Sequence, residues 1–449
     1  MRGRWTRRGV IVLAITLAVS TMLWIAVDRD DAGLSNPAIT FGVLGSTCAA
    51  NRVDALDEAG VELAQVDLRW DRLEPVSGQL DRVYAKEVAD AIRTCKDAGI
   101  GVILGLGLQY APDWVSLLPD GEYLDQARNV HPGQVPNLVF SSDVRWAFET
   151  HAANVFRLLP EGAVHAIRIG TNEAGELGYP GQGGSSSTSG TGYWAFNDAA
   201  QTGHGLPADV DNTPFPGWKP GDDTWRGQSI TAKQVTTWFD WYSDSVTRTV
   251  LWQAETLRNL GFEGEFHVPL AGRGALPVDL RQAIAANLDG SGDRDGSLGR
   301  GLYYPHQLQA FGDAKNAGNL IANVTSLDDA TAVQARARRP ATDSCSPMDH
   351  RIDLVTHPDV ERWSSSRWTV ANARKAGLDV IGENPGSPRA PGTGGNTETD
   401  DIREQMKHAP RYAVDCGLTT FLWAFEDDFF GDPRQMTLGE YRKIISTYE

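Results

Sequence analysis

The amino-acid sequence predicts a (β/α)8 barrel, in which eight parallel strands close into a sheet surrounded by helices. From residue 38 onward, short apolar runs alternate with amphipathic stretches, a pattern typical of parallel strands joined by crossover helices. Several amphipathic stretches end in glycine just before the next apolar run, at Gly60, Gly99, Gly261, Gly377 and Gly417. Glycine most easily adopts the left-handed backbone that ends a helix, so this recurrence favours one barrel over several domains.

The elements follow one another in a regular order. Apolar runs at 40–45, 63–70, 101–108 and 163–170 predict the first four strands. Amphipathic stretches at 50–59, 84–98, 143–159 and 234–260 follow these runs in turn and predict helices. The second half adds predicted strands at 265–270, 320–324, 380–382 and 419–425 and a closing helix at 437–448.

Three long connections interrupt these units, at 179–233, 274–318 and 328–363. They follow the fourth, fifth and sixth strands, so they leave the C-terminal ends of the strands, where barrels build their sites. The first connection contains a Gly- and Ser-rich run at 181–187, which in isolation would be a flexible linker. Because this run lies between a strand and its helix, we interpret it as a mobile loop over the site.

The N-terminus carries a candidate membrane segment. Residues 1–9 form a basic flank, 10–27 an uncharged apolar run, 28–37 a linker and 38–449 the barrel. At ~1.5 Å per residue the run crosses most of a ~30 Å hydrocarbon core, and the basic flank places the barrel outside. No small-x-small cleavage site precedes Asp28, so we expect a single-pass signal anchor in the cell membrane, with secretion after cleavage as the alternative.

Charge and cysteine usage narrow the classes of function. A balance of 41 Lys+Arg against 58 Asp+Glu, without a basic stripe, argues against nucleic-acid binding. All 4 cysteines follow the apolar run, so an oxidising compartment is expected to join them in disulfides. Cys48 with Cys95 and Cys345 with Cys416 would close the shorter loops, while the other pairings and buried free thiols stay open as alternatives.

No metal or other cofactor is predicted, and the sequence carries no signal for an oligomeric state. No two cysteines lie within four residues of each other, and the 9 histidines show no metal spacing. The acidic run from Asp289 has Arg294 where a calcium loop needs glycine, and no glutamate closes the loop.

Carboxylates follow two of the predicted strands and form a candidate active site. Glu173 and Glu176 lie in the turn after the fourth strand, and Glu383 follows the seventh. Glycoside hydrolysis needs one protonated carboxyl group, to release the leaving oxygen, and one ionised carboxylate, to attack the sugar or activate water. Solvated turn residues are the plain alternative, but these acids follow apolar strands and lie beside Asn, Gly and Pro, which favours a glycosidase site.

The N-terminal half resembles family-42 β-galactosidases and other clan-A glycosidase barrels. The similar stretches are residues 66–81, with the sequence VDLRWDRLEPVSGQLD, and residues 111–114, with the sequence APDW. In that clan an Asn-Glu pair ends the fourth strand, and its glutamate is the acid/base. The resemblance therefore implies these positions for Asn172 and Glu173.

The later chain is similar to family-14 glycoside hydrolases, the β-amylases. Residues 174–180 (AGELGYP) resemble that family's acid motif and residues 382–384 (GEN) its base motif, which implies Glu176 as general acid and Glu383 as general base. Further similar stretches follow the family's order, at 241–243, 293–296, 323–325 and 426–428. Taken together, the resemblances imply substrate contacts by Asp67, Asn172, Thr325, Asn384 and Asp427.

Three positions depart from the β-amylase pattern. Where that family has a sugar-binding His, Lys and Arg after strand three and on strands five and eight, this chain has residues 108–110 (LQY), Pro269 and Ala424. The resemblance therefore implies the catalytic scaffold and not starch as the substrate. Trp423, at the end of the eighth strand, is predicted to lie at the mouth of the barrel, where its ring would support a sugar face.

We therefore expect a membrane-anchored, extracytoplasmic glycoside hydrolase that acts on a poly- or oligosaccharide. If Glu173 pairs with Glu383, the carboxyl groups should lie ~5 to 5.5 Å apart and the product should retain its configuration. If Glu176 pairs with Glu383, a gap of ~6.5 to 9.5 Å should give inversion, and the longer motif favours Glu176. The alternative from another class is a non-catalytic carbohydrate-binding or cell-envelope protein on a degenerate barrel.

Overall fold

Eight parallel strands close into a barrel, as the sequence predicts. The computed structural model describes residues 39–133, 135–160, 162–181, 191–293, 296–314, 316–327, 329, 334–335, 338, 340–384, 402–431 and 437–448. The barrel strands are β1 Thr40–Val43, β2 Leu63–Asp67, β3 Gly101–Gly105, β4 Val164–Arg168, β5 Glu265–Leu270, β6 Leu320–Val324, β7 Asp379–Glu383 and β8 Thr420–Trp423. Each strand pairs in parallel with its neighbours in the chain, and β1 pairs with β8 to close the barrel.

Helices cover the outside of the barrel and return the chain to the next strand. The longer ones are Ala50–Glu58, Arg82–Asp97, Ser142–Leu158, Ala232–Asn259, Pro277–Ala285, Tyr304–Asp313, Ser365–Lys375, Ile402–Asp415 and Leu438–Tyr448. Shorter helical turns are Trp70–Leu73, Leu108–Tyr110, Asp113–Ser116, Asp198–Thr202, Asp349–Arg351, Pro358–Arg362 and Asp427–Phe430. Strands Thr224–Trp225 and Gln228–Ser229 form a small antiparallel ribbon within the connection after β4.

Local sequence explains where these elements begin and end. Thr231 and Gln234 form a capping box that begins the long helix Ala232–Asn259. The side chain of Asp81 caps the helix Arg82–Asp97 in a similar way. All five glycines predicted to end helices have positive φ angles, which confirms that prediction.

Two predictions about the elements are corrected by the structure. The second and third strands are shorter than predicted, because the chain turns into the helices Trp70–Leu73 and Leu108–Tyr110 at their ends. The connection after β5 contains two helices, of which Tyr304–Asp313 returns the chain to β6. The sequence analysis missed both, because short helices in a Gly-rich stretch give a weak periodic signal.

The interior of the barrel contains an apolar cluster and, at the C-terminal ends of several strands, polar and charged side chains. The apolar cluster is formed by Leu44, Leu63, Ile103, Ala166, Ile321, Ile381, Leu422 and Ala424. Side chains two residues further along a strand face the same side, so Asp67, Arg168, Asn323 and Glu383 also face inward. The C-terminal ends of the strands therefore enclose polar and charged groups. A larger apolar cluster packs the outer face of the sheet against the helices.

Two disulfides join the connections to the helices and confirm the predicted pairing. Cys48 bonds Cys95, which ties the segment after β1 to the helix Arg82–Asp97. Cys345 bonds Cys416, which ties the connection after β6 to the residue that follows the helix Ile402–Asp415. None of the helices in the described part of the chain combines the length and apolar character that a membrane crossing needs, and the predicted anchor at 10–27 lies outside that part.

Candidate active site

The turn after β4 is folded so that its two glutamates differ in exposure. Asn172 Oδ1 accepts hydrogen bonds from the backbone N–H groups of Ala174 and Glu176, at 2.9 Å each. The turn is tight at Gly170, where an added Cβ would lie 2.3 Å from the carbonyl oxygen of Gly175. The side chain of Glu176 is 14% exposed, whereas that of Glu173 is 41% exposed.

Glu176 has the surroundings of a general acid. Burial raises the pKa of its carboxyl group, while the guanidinium groups of Arg300 and Arg168 partly oppose the shift, and the nearby charge of Glu383 adds to it. Arg300 Nη1 lies 3.9 Å from Glu176 Oε2, and the nearby side chain of Thr325, whose hydroxyl donates to Leu270 O at 2.9 Å, also opposes the shift. A carboxyl group with a raised pKa stays protonated closer to neutral pH and can donate its proton.

Glu383, at the end of β7, is held by two side chains from other strands. Arg168 Nη1 donates to Glu383 Oε2 at 2.8 Å, and Arg168 Nη2 donates to Glu383 Oε1 at 3.1 Å. Asn323 Nδ2 donates to Glu383 Oε2 at 2.9 Å. A guanidinium that donates to both oxygens pairs with an ionised carboxylate, so Glu383 is suited to the role of base.

Arg168 lies between the acidic groups of the site. Its burial opposes the charged form, but Glu383, Glu176 and Asp67 together raise the pKa of its guanidinium group. The sequence analysis did not select Arg168 or Asn323. The signal was present in the register, because Arg168 lies two residues after the inward-facing Ala166.

Asp67, from β2, lies beside Arg168 at the edge of a cavity. Burial raises the pKa of its carboxyl group, and the charge of Arg168 opposes that shift. Gln65 Nε2 and Gln109 Nε2 donate to Asp67 Oδ1 at 2.6 and 3.3 Å. The cavity is lined by Asp67, Gly105, Leu106, Leu108, Gln109, Arg168, Gly170, Gly175 and Gln253. Asp67 and Arg168 therefore line the same cavity. Gln65, Gln109 and Gln253 are further polar residues of the site, and they were not predicted from the sequence.

Two predicted substrate contacts, Asn172 and Asn384, are buried and form hydrogen bonds with the backbone. Asn172 is 2% exposed and its amide oxygen is used within the turn that carries Glu176. Asn384 is 1% exposed, and its amide group bonds both the N–H and the carbonyl of Ala424. The amide nitrogen of Asn172 also donates to Glu176 Oε2 at 3.4 Å, so Asn172 touches the candidate acid, and the sugar contacts of both residues stay predictions.

The structure places the two predicted contacts at the end of β8 in different surroundings, and the contact predicted for Asp427 stays a prediction. Trp423 is fully buried in the outer cluster, and its Nε1 donates to Asp428 Oδ2 at 3.1 Å. Its neighbour Leu422 faces the inside, so alternation turns Trp423 toward the helices. Asp427 is 80% exposed and pairs with Arg52 at 2.7 Å, and no contact among the described residues joins it to Glu176 or Glu383.

The fold places the chain among the (β/α)8 barrels, and comparison with solved structures identifies glycoside hydrolases with a similar fold. The catalytic domain of β-amylase from Paenibacillus polymyxa has a TM-score of 0.57 and 14% identity, over 92% of this chain and 99% of that chain. A β-galactosidase from Marinomonas ef1 has a TM-score of 0.54 and 14% identity, over 91% of this chain and 59% of its own.

A β-galactosidase from Halorubrum lacusprofundi has a TM-score of 0.55 and 14% identity, over 91% of this chain and 58% of its own. No family model matches the chain, and no curated protein matches it by sequence. The folds of these three structures confirm the predicted resemblance to family-14 and family-42 glycoside hydrolase barrels.

Proposed function

We propose that this protein is a glycoside hydrolase that cleaves O-glycosidic bonds of a poly- or oligosaccharide. One observation carries the proposal: Glu176, in the turn after β4, and Glu383, at the end of β7, both lie near Arg168, and their environments differ. Burial favours the neutral form of Glu176, whereas Glu383 is paired with a guanidinium. These are the two protonation states that glycoside hydrolysis requires.

The proposed reaction uses Glu176 as general acid and Glu383 as general base. Glu176 gives its proton to the glycosidic oxygen as the bond from that oxygen to the sugar carbon breaks. Glu383 takes a proton from a water molecule whose oxygen bonds the same carbon from the opposite face, so the product is inverted. Glu173 is the weaker candidate for the acid, since its carboxylate is more exposed and accepts from the backbone N–H of Gly181 at 3.1 and 3.2 Å.

Hydrolysis of a panel of envelope and plant glycans tests the proposal. We expect the wild-type protein to release reducing ends from at least one glycan and Glu383→Gln to lose this activity by roughly 10²- to 10⁴-fold. NMR of the anomeric proton in the first minutes should show inversion. Binding of a glycan without hydrolysis by the wild type would instead support the carbohydrate-binding alternative.

We also propose that the enzyme acts outside the cytoplasm and is attached to the cell membrane by residues 10–27. The basic flank and apolar run support this proposal, and the two disulfides agree with an oxidising compartment. A substrate in the cell envelope or outside the cell follows from this location.

A further inference from the structure

We infer that Arg168 is a positioning residue, which clamps Glu383 and leaves its Oε1 atom as the oxygen that receives the proton of the attacking water. The inference rests on the proposed function and deepens it. It concerns a contact between β4 and β7 that neither glutamate motif contains.

The two oxygens of Glu383 differ in the capacity that remains to them. Each carboxylate oxygen offers about two lone-pair sites for hydrogen bonds. Oε2 accepts from both Arg168 Nη1 and Asn323 Nδ2, so its sites are occupied. Within the part of the chain that the structure describes, Oε1 accepts from Arg168 Nη2 alone, at 3.1 Å. Oε1 therefore keeps one site, and a water proton can be transferred to it.

Burial makes this clamp effective. The side chains of Arg168 and Glu383 are 12% and 7% exposed, so solvent screens their interaction little. Among the described residues no other cation pairs with Glu383. Pro269 on β5 and Ala424, which directly follows β8, carry no charge.

The charge of Arg168 also reaches the other titratable groups of the barrel interior. These groups are Asp67, Glu176, His267 and Glu383. The guanidinium lowers the pKa of both Glu176 and Asp67 and thereby limits the upward shift that burial causes. Replacement of Arg168 should therefore disturb acid and base together.

Variants of Arg168 test the clamp through activity. Arg168→Lys keeps a positive charge but cannot donate to both oxygens in the planar geometry of a guanidinium. We expect it to lower kcat by at least about tenfold with little change in KM, because the defect concerns the reacting atoms. Arg168→Ala should lose more, and millimolar methylguanidine should restore part of its activity. Wild-type kcat in Arg168→Lys would overturn the inference.

A stability cycle tests the same contact without a substrate. Removal of one partner of a buried ion pair leaves an uncompensated charge, so Arg168→Met should lower the melting temperature more than the double variant Arg168→Met with Glu383→Gln does. Arg145→Met is the matched control, since Arg145 is another buried arginine that pairs with Asp209 at 2.5 Å, and its effect should add to that of Glu383→Gln. Additive effects of the Arg168 and Glu383 replacements would overturn the inference even if the wild type hydrolyses no glycan, which by itself would refute only the proposed function.

Discussion

Two glutamates three residues apart occupy different environments, and this difference supports the roles proposed for them. Glu176 is enclosed between Arg168, Arg300 and Thr325, and burial raises the pKa of its carboxyl group. Glu173 is the more exposed of the two and accepts from the backbone N–H of Gly181. The motif around Glu176 favoured it as the acid, and the geometry of the turn supports the same choice.

The pair Glu176→Gln and Glu173→Gln provides a matched test. We expect Glu176→Gln to lower kcat by about 10²- to 10⁴-fold on natural glycans, because it removes the proton donor. Glu173→Gln should have a smaller effect. An aryl glycoside with a good leaving group needs no acid, so it should recover much of the loss in Glu176→Gln. Near-wild-type activity of Glu176→Gln on natural glycans would transfer the role to Glu173.

The alkaline side of the pH profile should depend on Arg300. Its positive charge lowers the pKa of Glu176 and so opposes the effect of burial. In Arg300→Ala the pKa of Glu176 should rise further, so the acid stays protonated to higher pH. We expect the alkaline limb of kcat/KM to move to higher pH, while Arg300→Lys keeps the charge and leaves the limb close to its wild-type position. Movement of the limb to lower pH in Arg300→Ala would contradict this account.

At the scale of elements, the turn after β4 fixes the orientation of Glu176, the proposed acid. Its backbone is held by the side chain of Asn172, and Thr171 Oγ1 adds a hydrogen bond to the carbonyl of Gly178 at 2.7 Å. Leu177 N donates to Pro269 O at 2.8 Å, which attaches the turn to β5. The direction of Glu176 thus depends on hydrogen bonds within the turn and to β5.

Asn172→Ala should loosen this turn. Two backbone N–H groups lose their acceptor, which is expected to lower the free energy of unfolding by about 1 to 3 kcal/mol and to reduce kcat. Asn172→Asp keeps the acceptor oxygen for the two backbone N–H groups, but it replaces the amide nitrogen, which lies 3.4 Å from Glu176 Oε2, with a second oxygen. It should therefore retain the bonds within the turn while it raises the pKa of Glu176 by like-charge repulsion. Chemical denaturation and kcat measured on the same preparations would check both expectations. Unchanged stability in Asn172→Ala would show that the turn is held by its other contacts.

Alternation along a strand explains which residues could be assigned from the sequence. Glu383 lies two residues after the inward-facing Ile381, so an acid at that position must enter the barrel. Trp423 follows the inward-facing Leu422 by one residue and must therefore leave it. The prediction for Trp423 considered its distance along the strand and not its side, and it was wrong for that reason.

For the whole molecule, the proposed membrane anchor gives a test in cells. The full-length protein should sediment with membranes, and external protease should remove the barrel from intact cells, because the basic flank keeps the N-terminus inside. A variant without residues 1–27, secreted through an unrelated cleaved signal, should appear in the soluble fraction. A mature N-terminus near Asp28 or Ala32 in the native protein would mean secretion instead.

The order of the strands and helices could be predicted from the sequence, because each element has its own period of apolar residues. Strand runs, glycine helix ends and an even cysteine count are local or compositional signals, and they predicted the barrel and its two disulfides. The candidate acids were also found in this way, since each follows a strand. The two helices after β5 were not predicted, because each is short and its apolar periodicity is weak within a Gly-rich connection.

The sequence by itself determined that acidic residues lie at one end of a parallel barrel, because the apolar pattern of each strand and the order of the strands are local features of the chain. Only the tertiary structure decided which groups meet there. Arg168 and Glu383 are 215 residues apart, and their pairing depends on closure of the sheet. The pKa of Glu176 likewise responds to Arg300 and Thr325, which belong to other connections. Contact and desolvation are properties of the assembled barrel, so the roles proposed for Glu176, Glu383 and Arg168 could be argued only from the closed sheet.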